Sequence, residues 1–210
     1  MTATTPVPLV LASASEARLK TLRTAGVEPV VIVSGVDEDQ LVGLTPAALA
    51  LALAELKCRA VVDHPDVPRG ALVLGCDSVL ELDGEVHGKP ADTAVAVARW
   101  QRMRGRSGVL HTGHWLVDDR DPDDGGTRGT VGATASTTVH FAEVDDDEIA
   151  SYVATGEPLH VAGAFTLDGL GAPYVRAIEG DPSNVVGVSL PLLRDLLAEL
   201  DVPWRALRER

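Results

Sequence analysis

Apolar and polar positions change their spacing several times along the first part of the chain. Continuous apolar or β-branched runs are typical of buried strands, whereas apolar residues three and four apart are typical of helices with one buried face. These patterns predict strands at residues 9–12 and 27–34 and helices from about 15 to 26 and from 45 to 62. The second helix has a clear start, because Thr45 can cap it and Pro46 suits its first turn.

The rest of the chain continues this alternation. Residues 71–76 are predicted to form a buried strand, residues 78–82 either extend it or pair back on it, and Asp83-Gly84 is typical of a hairpin turn. The further predictions are strands at 109–117 and 130–141, short strands up to about 178, helices at 93–103, 145–154 and 189–200, and a surface loop at 118–129. Without repeats or a long linker, the order predicts one α/β domain over residues 1–210, with a mixed sheet and a core from about 9 to 200.

Composition narrows the class of protein. The chain has 210 residues, of which 45% are hydrophobic and 23% charged, as in ordinary soluble globular proteins. Its net charge of -13 argues against a protein that coats nucleic acid, which needs a basic face. An acidic protein that binds phosphates must gather its few cations in one place or recruit a divalent metal.

The cysteines and the N-terminal segment bear on the cellular compartment. Cys58 and Cys76 form no CxxC pair, which favours a reducing compartment. The start of the chain has no basic region followed by a long apolar run, so we expect no signal peptide. The apolar segments fall short of the ~20 residues that a membrane helix needs. We therefore expect a cytoplasmic protein without a membrane partner.

The turn after the first strand carries the most informative candidate residues. Ser13 and Ser15 can cap a helix start, and their hydroxyl and backbone N–H groups can point at an anion. Arg18 lies one turn inside that helix and could bind the same anion through its planar fork of donors. The pattern fits a phosphate site, and it fits an ordinary capped helix with a solvated arginine equally well.

Carboxylates and lysines form a second group of candidates. Asp77 falls at the predicted end of a strand, a favoured active-site position in α/β sheets, although turn aspartates occur there too. Glu38, in an acidic loop, is either a solvated charge or a partner of Asp77 in an oxygen-ligand site for a divalent cation. Lys89, in a Gly/Pro turn, and Lys57, near the predicted helix end, are candidate phosphate contacts. Both positions also suit ordinary surface lysines.

Several other kinds of site are excluded by sequence pattern. The chain contains no GxxxxGK[ST], GxGxxG, HExxH or GxSxG motif. His111 and His114 lie three apart in a predicted strand, which places them on opposite faces of the sheet. We therefore interpret both as structural or surface histidines rather than metal ligands.

Taken in order, the candidate segments resemble the Maf family of nucleoside triphosphate pyrophosphatases. The matching motifs are LASASEAR (11–18), VDE (36–38), Lys57, GCDSV (75–79), DGEVHGKP (83–90), TTVHF (137–141), GEPL (156–159), AGAF (162–165) and NVVG (184–187). Each motif alone is weak, whereas the ordered set, which covers roughly residues 9 to 200, is specific.

The resemblance implies a mixed sheet flanked by helices in an inosine-triphosphatase-like architecture, with a cleft between two lobes and commonly a homodimer. It implies that a nucleoside triphosphate is hydrolysed to the monophosphate and pyrophosphate with a divalent metal. Asp77 would be the general base, and Glu38 with Asp77 would hold Mg²⁺ or Mn²⁺. The triphosphate would be bound by Ser13, Ser15, Arg18, Lys57 and Lys89.

Three departures from the family pattern concern the choice of base. Ala17, Ser78 and Asp168 stand where the members that prefer dTTP and UTP share arginine, threonine and glutamine. An acidic residue at the Asp168 position resembles the branch that hydrolyses 7-methyl-GTP, and it would accept hydrogen bonds from a guanine-like edge. A non-standard or modified nucleotide is therefore a candidate substrate. The alternative is a nucleotide-binding regulator, linked to division arrest, that needs no turnover.

Overall fold

The computed structural model describes residues 6–37, 41 and 43–208. Its strands are β1 (Leu9–Leu11), β2 (Val30–Val31), β3 (Leu72–Leu82), β4 (Glu85–His87), β5 (Ser107–Asp118), β6 (Thr130–Phe141) and β7 (Val175–Glu179). Its helices are α1 (Glu16–Thr24), α2 (Pro46–Val62), α3 (Thr93–Met103), α4 (Asp146–Ala154), α5 (Pro182–Val186) and α6 (Leu190–Glu199). None of these helices, within the described ranges, has the length and apolarity to cross a membrane.

The described strands form one mixed sheet in the order β2-β1-β3-β5-β6-β7, with β4 paired to the end of β3. β1 is parallel to β2 and β3, while β3, β5, β6 and β7 are antiparallel in succession. Helix α2 packs its apolar side against one face of the sheet, and α6 packs against the other face. The predicted α/β class, a mixed sheet flanked by helices, is confirmed.

The local signals at element ends are confirmed as well. Ser15 Oγ accepts a hydrogen bond from the backbone N–H of Arg18 and caps α1, and Thr45 caps α2 in the same way. Asp83 and Gly84 adopt positive φ angles of 57° and 77°, as the predicted two-residue hairpin turn requires. Short polar side chains and glycine therefore fix these boundaries locally.

Two predicted strands have different bounds in the structure. Residues 78–82 continue the preceding strand, so Asp77 lies in the middle of β3 and not at its end. The strand predicted at residues 27–34 is reduced to Val30–Val31, because β1 offers it only Val10 and Leu11 as partners. A β-branched stretch forms a strand only where a neighbouring strand is available to pair with it.

One edge of β3 is only partly covered. β1 pairs with residues 72–74 and β4 with residues 80–82, whereas β5 covers the other edge from 72 to 81. Since β5 already occupies that other edge, β1 and β4 lie on the same side of β3. Among the described strands, residues 75–79 are therefore paired on one side only. We call this stretch the β3 gap, and Asp77 lies at its centre.

Two glycines let α2 lie directly on the sheet beside the β3 gap. A Cβ atom at Gly75 in β3 or at Gly113 in β5 would overlap backbone atoms of α2. Gly113 stands opposite Asp77 in the strand register. Glycine in a strand permits such a close backbone approach. The side chain of Lys57 in α2 consequently reaches the sheet at Asp77.

The loop after β5 is anchored by a buried carboxylate. Asp118, only 1% exposed, accepts hydrogen bonds from Arg120 Nε at 2.8 Å and from Thr127 N at 2.7 Å. Arg120 is buried as well and also donates to the Leu200 carbonyl oxygen at 3.0 Å. The prediction of a surface loop at residues 118–129 is therefore wrong at Asp118 and Arg120, because composition does not show that these two charges compensate each other.

Replacing Asp118 with asparagine should remove a pH-dependent part of the stability. Burial raises the pKa of Asp118, but hydrogen bonds from Arg120 and Thr127 outweigh that effect and hold it at about 2, below the ~3.9 of an unfolded aspartate. The stabilisation, about 2 kcal/mol, is therefore complete above pH 4 and lost as the pH falls towards 2. Between pH 5 and pH 2, the free energy of unfolding measured with urea should fall less for Asp118→Asn than for the unchanged protein. Equal losses would contradict this role of Asp118.

Candidate functional site

A buried ion pair occupies the α2 side of the β3 gap. Nζ of Lys57 contacts Oδ1 of Asp77, and these residues are only 9% and 6% exposed. Lys57 lies more than a turn before the end of α2 and points into the fold, so the alternative of a surface lysine at the helix end is wrong. In such a pair each charge compensates the other, and loss of either partner removes that compensation from a buried charge.

Arg18 lies on the opposite side of the sheet from this ion pair. Its side chain donates hydrogen bonds to the Gly187 carbonyl oxygen at 2.8 Å, to Ser13 Oγ at 2.9 Å and to Ser78 Oγ at 3.0 Å. Consecutive strand residues point to opposite faces, so Asp77 and Ser78 bring Lys57 and Arg18 to the two faces of the same gap. Arg18 is only 8% exposed, and the alternative of a solvated arginine is therefore wrong.

Ser13 and Ser15 shape the turn between β1 and α1. Ser13 Oγ accepts hydrogen bonds from the backbone N–H of Ser15 at 3.2 Å and from Arg18. Since the Ser13 oxygen is the acceptor in both contacts, its own proton can be donated to an anion. The N-terminus of α1 starts at the same place, and its partial positive charge also favours an anion.

Lys89 follows β4 and approaches the β3 gap from its other end. β4 is antiparallel to β3, with His87 opposite Leu80, so the chain beyond His87 runs back towards the level of Ser78. The Lys89 side chain is exposed. Ser13 and Lys89 therefore lie at the two ends of the β3 gap.

Arg99 is a buried cation that the sequence analysis missed. Its NH1 group donates to the Gly88 carbonyl oxygen at 2.6 Å, and the backbone N–H of Gly163 donates to the same oxygen at 3.1 Å. These contacts fix the turn that carries Lys89. No local sequence motif marks Arg99, because its partner is a backbone carbonyl in another segment. The one clue in the sequence is that Arg99 lies on the side of α3 that faces the core.

The three residues predicted to select the nucleobase lie apart from one another. Ser78 belongs to the Arg18 contacts, and Ala17 is half-buried on α1. Asp168 lies beside a cavity of about 440 Å³ along α1, where its carboxylate is 3.5 Å from Nζ of Lys20. Within the described part of the chain, no hydrogen bond or ion pair joins Ala17, Ser78 and Asp168 to one another. Their role in selecting the base stays a prediction.

The predicted metal site rests on one described residue. Glu38 lies outside the described residues, and within them no cluster of three or more His, Cys, Asp or Glu side chains could hold a metal. Asp77 supplies a carboxylate, the ligand type that Mg²⁺ and Mn²⁺ prefer. Mg²⁺ is commonly held by one or two carboxylates together with substrate phosphates and water. The donor chemistry at Asp77 therefore fits a cation that protein and substrate hold jointly.

The two strand histidines face opposite sides of the sheet, as predicted. His114 accepts a hydrogen bond from the backbone N–H of Ser189 at 2.8 Å, and burial lowers its pKa to about 4. It is therefore a neutral structural residue near pH 7. His111 contacts Glu81 and Ser136 on the other face.

The fold and the β3 gap define an α/β protein with a buried acid and with cationic and hydroxyl side chains around one strand edge. The family model described as "Maf-like protein" matches residues 8–200, and the chain belongs to this family. The protein named nucleoside triphosphate pyrophosphatase in Salinispora tropica is 60% identical, over 100% of this chain and 91% of that protein. The proteins of the same name in Streptomyces avermitilis and Nostoc punctiforme are 60% and 50% identical, each over 92% of this chain and over 91% and 93% of their own lengths.

Solved structures give a weaker likeness. A nucleoside-triphosphatase (dITP/XTP pyrophosphatase) of Mycobacterium abscessus aligns with 66% of this chain and 76% of its own, at 18% identity and a TM-score of 0.38. The Ham1 protein of Staphylococcus aureus aligns with 95% of this chain and 93% of its own, at 13% identity and a TM-score of 0.42. Values this low support no argument about the site.

Proposed function

We propose that this chain hydrolyses nucleoside triphosphates to nucleoside monophosphates and pyrophosphate. The observation that carries the proposal is the buried Asp77–Lys57 pair at the β3 gap, with Arg18 held on the other face of that gap. This arrangement places a proton acceptor and a group that can bind phosphate oxygens on the two faces of the same strand edge. The names of the relatives, which are 50–60% identical over nearly their whole length, support the same activity.

Asp77 is the general base in this proposal. Its carboxylate takes a proton from a water molecule, whose oxygen attacks the α-phosphorus. The bond from the α-phosphorus to the bridging oxygen breaks, and the electron pair leaves with pyrophosphate. Lys57 orients the carboxylate and compensates its charge inside the fold.

The triphosphate is bound by cations and hydroxyls around the gap. Arg18 suits this role because its planar donor fork matches phosphate oxygens, and Ser13 can donate its proton beside it. Ser15 contributes by capping α1, whose N-terminus favours an anion. Lys89 supplies a point charge from the β4 side. Together with Lys57, these groups steady the charge that moves onto the leaving pyrophosphate.

A divalent cation, Mg²⁺ or Mn²⁺, completes the proposed site. Asp77 would hold it together with Glu38 and the substrate phosphates. When bound, such an ion neutralises phosphate charge and orients the triphosphate. Such an ion is also compatible with the net charge of -13, since an acidic protein that binds phosphates must gather its cations in one place or recruit a divalent metal.

The preferred nucleobase of the substrate is proposed from the three departures from the family pattern. Ala17, Ser78 and Asp168 differ from the dTTP/UTP-preferring pattern, so we propose a non-standard or modified nucleotide with N–H donors facing Asp168. The homodimer and the cytoplasmic location stay predictions.

A panel of nucleotides tests the activity. GTP, 7-methyl-GTP, inosine triphosphate, dTTP and UTP are incubated with the protein, with and without Mn²⁺, and the products are resolved by anion-exchange chromatography after the metal is chelated. We expect pyrophosphate and the monophosphate in equal amounts, only with the metal, and most rapidly for a purine with an N–H donor edge. Binding of nucleotides without any release would contradict the proposal and favour the regulator instead.

A further inference from the structure

A chain of hydrogen bonds runs from the β3 gap into the core. NH2 of Arg18 donates to Ser78 Oγ at 3.0 Å, and Ser78 Oγ lies 2.9 Å from Thr112 Oγ1 in the neighbouring strand β5. Thr112 Oγ1 then donates to the backbone carbonyl oxygen of Asn184 at 3.1 Å. Thr112 and Asn184 are fully buried, so water does not compete for the inner bonds.

The two ends of this chain set the direction of every proton in it. A guanidinium can only donate and a carbonyl oxygen can only accept, whereas each hydroxyl carries one proton. Thr112 gives its proton to the Asn184 carbonyl oxygen, so it can only accept from Ser78. Ser78 therefore gives its proton to Thr112 and presents a lone pair to Arg18.

We propose that Thr112 is a positioning residue for Arg18 and that it acts through Ser78. While Thr112 accepts the Ser78 proton, the Ser78 oxygen stays turned towards the guanidinium. Without that acceptor the hydroxyl can rotate and donate elsewhere, and Arg18 loses an oriented acceptor. The inference rests on the proposed function, because it takes Arg18 as a ligand of the triphosphate.

Thr112→Val tests this role, because valine has nearly the same shape and lacks the hydroxyl. We expect KM for the preferred triphosphate to rise about tenfold, the equivalent of one oriented hydrogen bond. The value of kcat should fall less than about fivefold: Arg18 also steadies charge on the leaving pyrophosphate, but Asp77 and Lys57 lie on the other face of the sheet and are unchanged. Thr112→Ser keeps the hydroxyl and should restore KM to within about twofold of the starting value.

A double-mutant cycle with Ser78→Ala separates positioning from a purely structural role. Valine at 112 also removes one of the two hydrogen bonds to the Asn184 carbonyl oxygen, which keeps the one from the Gly187 N–H at 3.0 Å. This loss lowers stability, whereas Ser78→Ala keeps the bond from Thr112. Ser78→Ala alone should raise KM about as much as Thr112→Val, and adding Thr112→Val to it should change KM less than twofold. The same KM increase in both backgrounds would overturn the inference.

Two further outcomes are distinguishable. If Thr112→Val does not fold, Thr112→Ala enters the same cycle with the same expectation for KM. If the unchanged protein releases no pyrophosphate from any triphosphate, the proposed function fails, whereas normal turnover with an uncoupled cycle rejects only the role of Thr112.

Discussion

Asp77→Asn should lower kcat for pyrophosphate release by about 1,000-fold or more. Asparagine keeps the shape of aspartate but cannot take a proton from water, and a positioned general base contributes about 10²–10⁴ to the rate. The substitution also removes the carboxylate charge that faces the Lys57 ammonium, so we expect some loss of stability, about 3 kcal/mol. The measurement is kcat under saturating triphosphate, at a temperature where circular dichroism shows the variant to be folded.

Asp118→Asn is the matched control for this substitution. Asp118 is also a buried, ion-paired aspartate, but it anchors the loop after β5 rather than the β3 gap. Its variant should lose stability and keep kcat within about twofold. If both variants lose activity equally, or if Asp77→Asn keeps a tenth of kcat, Asp77 is not the base.

Gly113→Ala should strongly destabilise the protein and reduce its activity. A Cβ atom at this position would meet the backbone of α2, which cannot move aside without leaving the sheet. We expect a loss of about 3 kcal/mol or more, within the range of overpacked cores. Because Gly113 stands opposite Asp77, the shift should also pull Lys57 away from the carboxylate and lower kcat more than about tenfold. Urea unfolding and steady-state kinetics measure the two effects.

Gly108→Ala in the same strand provides the comparison. The nearest atom to a Cβ there is the end of the flexible Leu80 side chain, at 2.9 Å, with a backbone oxygen of Glu81 at 3.0 Å. Its loss of stability should be smaller, and kcat should be nearly unchanged because α2 stays in place. A Gly113→Ala protein as stable and active as Gly108→Ala would show that the contact between α2 and the sheet does not set the site.

The sequence predicts the elements well where the signals are local. The caps at Ser15 and Thr45, the hairpin turn at Asp83 and the helix and strand periods depend on neighbouring residues only, and the structure confirms them. The pattern of β-branched residues alone does not predict how far the strand at residues 27–34 extends, because that depends on the length of its partner β1. Long-range pairing overrides β propensity in such cases.

The candidate site was only partly accessible to sequence reasoning. Serine, arginine and lysine after strands point to a phosphate site by their chemistry, and the family resemblance puts them in order. The pairing of Lys57 with Asp77 could not be predicted, because it depends on glycines that bring α2 onto β3 and β5. The β3 gap and the inward side chain of Arg99 likewise follow from tertiary packing. No residue pattern marks them.

The position of solvent oxygen in the products tests the central claim most directly. The preferred triphosphate is hydrolysed in H₂¹⁸O with the metal, and the monophosphate and pyrophosphate are analysed by mass spectrometry. Attack at the α-phosphorus by the water that Asp77 deprotonates predicts one ¹⁸O atom in the monophosphate and none in pyrophosphate. Label in the pyrophosphate, or release of orthophosphate with a diphosphate, would contradict the account.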